Sequence, residues 1–352
     1  MKHIVSLTFI LFLVLAAYSQ GDEQEMAFLD SRCNTQLITL NPNRKNTKLK
    51  NRFPYRAFEV VDYRPDSLRI GLFGNRKQLS DLRFNSSPGS TIQFFLNENY
   101  TNPLATKTLL VVIKDLWFSD IVDVPGATPS NFNSHIKFRV EAYVKEETGY
   151  VPMAYFDTLI SSKTGVTLIA PFTMPGLIDA FIDKISAVDL EHANLPSKRH
   201  LSLGAVDSFS KRSFTYPVTV ANTLKKGVYA NFEEFRNNRP SVSNYDIDNE
   251  KDGSISLRLI DEQGKSYYSR RMWGYCDGQQ TYVMMDGNLF PVIHYGRAFY
   301  VYGSKNYLVR KSNVPIFLLF PPTLLLTTIP VSERVTRNLR FFRLDIQTGE
   351  IQ

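Results

Sequence analysis

Five consecutive apolar residues, Leu109 to Ile113, constrain the fold of this chain more than any other feature. They sit in the run Lys107–Phe118, whose β-branched content predicts a strand. Successive side chains of a strand point to opposite faces. Leu109, Val111 and Ile113 therefore line one face and Leu110 and Val112 the other. A strand apolar on both faces is central in its sheet. Lys114 and Asp115, farther along, are expected to bring one end of it to solvent.

The neighbouring segments supply partners for such a strand. Thr35–Leu40, Ala57–Tyr63 and Ser67–Phe73 are short apolar-rich runs, the last two separated by the Pro65-Asp66 turn signal. Ile136–Lys145 alternates apolar and charged residues, and Tyr150–Ser161 follows across the turn Glu147-Thr148-Gly149, which predicts an antiparallel hairpin. Two helices are expected, over Ser90–Asn97 after the breaker Ser86-Ser87-Pro88-Gly89 and over Pro171–Val188. In the second, Leu177, Phe181 and Ile185 recur every four residues. The segment 21–188 thus reads as an α+β domain of sandwich-like α/β layering. A polar stretch, 189–213, reads as a connector.

Residues 214–352 read as a small antiparallel β-meander domain with one short helix. Phe214–Val220 is expected as a strand. Asn231 is placed to cap a helix with Glu234 at the capping-box position, and Pro240 ends the segment. Apolar runs at 254–260, 266–275, 280–285, 289–294 and 298–302 then alternate with turn signals, including Asp277-Gly278 and Asp286-Gly287. Leu339–Ile346 offers a final strand.

The N-terminus predicts export. Lys2 and His3 precede the apolar stretch Ile4–Ala17, and Ala17 and Ser19 are small residues at the −3 and −1 positions of a cut before Gln20. Residues 1–20 therefore read as a signal peptide, and the mature protein is expected in the periplasm or outer envelope. No further transmembrane span is expected. The net charge of +7 falls to +6 when Lys2 leaves with the leader. The basic residues, such as Lys45, Lys48 and Lys50 or Arg334, Arg337 and Arg340, are not set in a nucleic-acid-binding pattern, and no nucleic-acid partner is expected.

No Gly-x-Ser-x-Gly elbow, P-loop, Gly-x-Gly-x-x-Gly or His-x-x-x-His motif occurs, so no catalytic or metal-binding residues and no cofactor are assigned. His192 and His200 fall in the polar connector. The adjacent acids Glu233 and Glu234 point about 100° apart on a helix and do not face each other. One arrangement with named residues remains, a Cys276 thiol approached by His294. The two cysteines, Cys33 and Cys276, either pair across the domains in an oxidising compartment or stay as separate thiols. The uncharged segment 314–329, broken by Pro321-Pro322, is either core or an interaction surface presenting Phe317, Leu318, Phe320, Leu324 and Leu325.

Three quoted stretches carry a family resemblance. Gly227–Ser241, Arg271–Gly278 and Gly296–Tyr300 together resemble a module of uncharacterised exported two-domain proteins of Bacteroidota, and Lys107–Trp117 is similar to their N-terminal part. The resemblance implies an envelope location, with no assigned activity and no catalytic residues to carry over. The order of elements in the first half is also similar to small α+β domains of envelope transport accessory proteins, a likeness of fold that does not establish function. The leading expectation is an exported, non-catalytic protein that binds an envelope protein or a membrane surface. Its alternatives are a secreted hydrolase whose site assembles only in three dimensions and an accessory subunit of an envelope transport system. Mass spectrometry of protein made in its native host should show a chain starting near Gln20, lighter than the full product by about 2 kDa. A full-length product would refute export by this leader.

Overall fold

The computed structural model describes residues 33–41, 53–74, 79–122, 132–188, 200–249, 255–269, 272–285, 288–304 and 339–351. The leader, most of the loop 41–52 and the apolar segment 314–329 lie outside them. The chain is α+β and divides into two compact units, one built on Thr35–Asn75 and Ser80–Thr215 and the other chiefly on Tyr216–Gln352.

The first unit holds a mixed sheet of seven strands: β1 (Cys33–Ile38), β2 (Tyr55–Asp62), β3 (Gly71–Gly74), β4 (Leu79–Phe84), β5 (Lys107–Val122), β6 (Phe132–Glu146) and β7 (Gly149–Ser162). The doubly apolar strand is its axis. β5 pairs with β2 in parallel along Lys107–Ile113, with β3 in parallel at Phe118 and Ser119, and with β6 in antiparallel register along its length. The hairpin β6–β7 forms as its alternation predicts.

Leu109, Val111 and Ile113 face a core closed by helices α1 (Pro88–Tyr100) and α2 (Val166–Ser186). Ser87 caps α1, its hydroxyl accepting from the Ser90 N–H, and Pro88 starts the helix, where its missing N–H costs nothing. α1 also covers the open edge of β2. The Asn97 side chain accepts from Phe58 N at 2.8 Å and donates to Phe58 O at 3.1 Å, and Gln93 accepts from Val60 N at 2.9 Å. Side-chain amides thus stand in for a strand that would otherwise be missing.

α2 begins at Val166, ahead of the expected Pro171, because its first turns bury Val166 and Ala170 on the stripe that continues through Leu177, Phe181 and Ile185. Pro171 and Pro175 both lie inside it. Pro175 offers no N–H to the Pro171 carbonyl, which accepts from Asn41 N at 3.4 Å instead.

Two expectations fail in this unit. Lys114 and Asp115 are buried, at 3% and 7% exposure, because a register shift between Ile113 and Asp115 turns both toward the outer face of the sheet. The polar stretch 189–213 contains a helix, α3 (Leu203–Arg212), capped by Ser202. It belongs to the first unit. Tyr150 and Leu201 exchange backbone hydrogen bonds of 2.8 and 2.9 Å, and Val206 packs with Leu110, Val112 and Tyr143. Val206 is its one fully buried apolar residue, so its sequence lacks the apolar period that reveals a helix. β4 also escaped the sequence reading.

In the second unit a short helix, α4 (Pro217–Val220), replaces the strand expected at 214–220, since Pro217 is preorganised for a helical first turn. The expected short helix follows as α5 (Phe232–Arg236). The meander forms, divided between two antiparallel sheets. Three strands, β9 (Tyr245–Asn249), β10 (Ile255–Ile260) and β11 (Ser266–Tyr268), make the smaller. The larger comprises β8 (Gly227–Tyr229), β12 (Gly274–Cys276), β13 (Thr281–Met285), β14 (Asn288–Tyr295), β15 (Ala298–Ser304) and β16 (Leu339–Leu344). Its two faces carry separate cores, one around Phe235 beside α4 and α5 and one joining Tyr275 to Leu257 and Leu259 of β10.

Phe235 is fully buried and stacks on Trp273 with ring centroids 4.1 Å apart. Phe235→Ala should destabilise the second unit by about 3–5 kcal/mol. Denaturant titration followed by Trp273 fluorescence, in a Trp117→Phe background, would test this, and an unchanged midpoint would contradict it.

Candidate functional site

The residues singled out by sequence do not converge. Cys276 is a buried free thiol, with Sγ 3.8 Å from the Leu224 carbonyl and 3.4 Å from Gly278 N. His294 stacks on Phe299 at 4.5 Å. β13 lies between their strands, which sets the two backbones about 10 Å apart, so the His294 imidazole is not beside the thiol. The Cys33 side chain is outside the described atoms, as are His192 and the residues Phe317, Leu318, Phe320, Leu324 and Leu325. His200 pairs with Glu146 at 2.7 Å, and His135 with the Ser161 hydroxyl at 2.9 Å. Among the described residues no group of three or more His, Cys, Asp or Glu could hold a metal ion.

The stretch Gly227–Ser241 is built of caps and turn contacts. Asn231 caps α5 by accepting from Glu234 N at 3.0 Å. Glu234 reaches back to Ala230 N at 2.8 Å and across to Ser241 N at 3.2 Å. Asn238, in the left-handed region at φ 47°, accepts from Lys225 N at 2.8 Å and from the Tyr229 hydroxyl at 3.2 Å. Gly227 has φ 146°, and a Cβ there would press on Pro240.

The first unit instead gathers chemistry on the outer face of its sheet. The bulge in β5 aims the Lys114 ammonium at Glu141 Oε2, 3.5 Å away, and that same oxygen accepts from the Tyr143 hydroxyl at 2.8 Å. Among the described residues Glu141 is the one acid paired with the Lys114 ammonium, which lies 5.4 Å from the centre of the Phe209 ring of α3. Burial holds Lys114 below the usual lysine range, outweighing the attraction of Glu141. Around it the charges are paired: Lys137 with Asp115 at 3.1 Å, Arg139 with Asp157 at 3.0 Å and Lys145 with Glu59 at 2.8 Å. α3 adds Asp207, hydrogen-bonded to Tyr63, and Lys211, 2.9 Å from Asp207. Burial, then the Asp207 bond, raises the Tyr63 phenol above its usual range. In this cluster each cation faces a carboxylate. Its sequence signal is a pair of charges, Lys114-Asp115, set between Ile113 and Leu116 in the otherwise apolar run Leu109–Phe118.

A second surface is apolar. α2 is long and apolar enough to cross a membrane by length and composition, yet one stripe of it is core. On the opposite side Leu168 and Phe172 are 68% and 69% exposed, and Gly176 and Ala180 extend the row at four-residue spacing. Asp179 is the one charge in 166–182, and it is tied to the Tyr100 hydroxyl. The sequence reading located the buried stripe and did not register that the outward side is apolar as well.

No family model matches the chain, and no curated protein matches it. Among solved structures, a protein from Xanthomonas campestris described under family-model DUF330 is similar over 44% of this chain and 92% of its own length, at 9% identity and a TM-score of 0.27. A likeness of that degree carries no argument about fold or function.

Lys114→Met should stabilise the protein slightly at neutral pH, because the desolvation of Lys114 outweighs its attraction to Glu141, and Glu141 keeps partial access to water and its bond from Tyr143. The folded pKa of Lys114 lies below the unfolded 10.5, so its penalty is complete below the folded value and fades as pH rises toward 10.5. Melting temperatures of the two proteins should therefore converge in alkali. A gap that widens there would reverse the assigned sign.

Proposed function

We propose that this is an exported, non-catalytic protein of the cell envelope that binds another envelope protein along the outward side of α2. The apolar row Leu168, Phe172, Gly176 and Ala180 carries this reading. Contiguous exposed apolar surface of this kind marks interaction sites. Burying a Leu or Phe side chain is worth about 1.5–3 kcal/mol, so Leu168 and Phe172 could anchor a contact. Gly176 and Ala180 leave the row low enough for a partner's backbone to approach closely, which favours a protein over a lipid surface. The leader over residues 1–20 supports export, and the resemblance to exported proteins of Bacteroidota supports the same location.

The double variant Leu168→Asp/Phe172→Asp should fold with a stability within about 1 kcal/mol of the parent, because both side chains are mostly in water already. It should also lose the proteins crosslinked to the parent in native envelopes. Retained crosslinks would refute the α2 contact. Sedimentation of the parent, but not the variant, with protein-free vesicles would assign the surface to lipid instead.

A further inference from the structure

β7 ends the first unit's sheet, and most of its far edge is open. β6 pairs with one side of it from Gly149 to Ser162. On the other side Tyr150 bridges Leu201, and Pro152, beside the register shift, has no N–H to offer. From Met153 to Ser162 no described residue pairs with that second side. α1 guards the edge of β2 with side-chain amides, and among the described residues β7 has no such cover. Proteins usually blunt an edge with Lys, Pro or a covering element. The stretch 153–162 contains no Lys, Arg, Glu or Pro, and its one charge is Asp157. It is apolar on both faces of the sheet. Tyr155 and Leu159 are 49% and 62% exposed on the outer face, while Phe156 and Ile160 form a half-buried rim of the core on the inner one.

We propose that β7 of one molecule pairs antiparallel with β7 of a second copy, about a two-fold axis at Ile160. Edge pairing needs only another extended strand, and a second copy supplies one of equal length. An antiparallel pairing of two identical edges is also closed: each molecule gives and receives the same bonds, and no β7 edge is left over. Charge sets the register. Asp157 accepts from Arg139 Nε at 3.0 Å and from the Tyr155 hydroxyl at 2.8 Å, both on Oδ2, which leaves Oδ1 for another donor. Lys163, exposed and one residue past β7, has no carboxylate beside it among the described residues. Asp157 and Lys163 stand three residues to either side of Ile160. An antiparallel pair centred there sets Asp157 opposite Lys163 of the second copy, twice by symmetry. A pair centred on Asp157 would instead set acid against acid. The same register sets Leu159 opposite Ser161 of the second copy and joins the two Ile160 side chains over the inner rim.

Sedimentation equilibrium of the mature chain across a concentration series should show a monomer–dimer equilibrium. Lys163→Glu sets acid against acid at both ends of the pair. It should weaken the dimer about tenfold and leave the monomer folded, because Lys163 is exposed. Oxidation reads the register. A mixture of Leu159→Cys and Ser161→Cys chains should form an intermolecular disulfide between positions 159 and 161, located by mass spectrometry, faster than either chain alone. A monomer at every concentration would overturn the proposal, as would a dimer that Lys163→Glu leaves unchanged or one without the bridge between 159 and 161. A monomeric Leu159→Cys chain that crosslinks to a different envelope protein would assign the edge to a foreign strand instead. The dimer should survive Leu168→Asp/Phe172→Asp, so failure here and failure of the α2 contact can be told apart.

Discussion

The first unit depends on a strand buried on both faces and on the bulge that interrupts it. Up to Ile113, β5 is apolar on each side, so both faces of the sheet must be covered. α1 and α2 close one face fully. Among the described residues, α3 covers the other where Leu110 and Val112 lie. At the register shift after Ile113 the outer face changes character, and Lys114 and Asp115 face Glu141 and Lys137 across β6. One extra residue in a strand thus decides where a hydrophobic layer becomes a lattice of ion pairs.

The crossover from β2 to β3 rests on a second set of buried charges. Arg64 forks the Asp62 carboxylate and donates to the carbonyls of Arg69 and Leu116 at 2.9 and 3.0 Å. Arg69 is fully buried between Asp66 and Asp81, at 3.4 and 3.3 Å, and Arg83 also reaches Asp81. Burying so many charges gives little net stability, because desolvation offsets the attraction. Removing one member is another matter, since its partner is left charged and buried, at a cost of about 3–5 kcal/mol. The network ties the segment 62–74 to β4 and leaves little room for alternatives.

In the second unit the most distinctive sequence is spent on architecture. Asn231, Glu234, Asn238 and Gly227 each satisfy a backbone group or permit a close approach. Arg236 lies over the Tyr216 and Phe232 rings and donates to the Gln347 carbonyl at 3.1 Å. Trp273 and Phe235 complete an aromatic core around the short helix. A compact motif is therefore no guide to a functional site here, because tight turns and caps demand specific residues as strictly as catalysis does.

Much of the fold was determined by the sequence alone. The doubly apolar run placed β5 at the centre, the alternation of Ile136–Lys145 placed the β6–β7 hairpin, the segment Ser90–Asn97 gave the body of α1, which begins two residues earlier at Pro88, and the capping residues of α5 marked a short helix. These features act between neighbours in the chain, so local periodicity records them. Tertiary structure decided the rest. α3 has a single buried apolar residue and is recognisable only when it lies against Leu110 and Val112. The short strands β4 and β9 exist because partners across the sheet accept their backbone groups. The candidate surfaces are the extreme case. Whether Lys114 meets water or a buried carboxylate, and whether Leu168 and Phe172 are covered or bare, depends on which distant elements fold against them, a contact between residues far apart in the chain that no local pattern encodes.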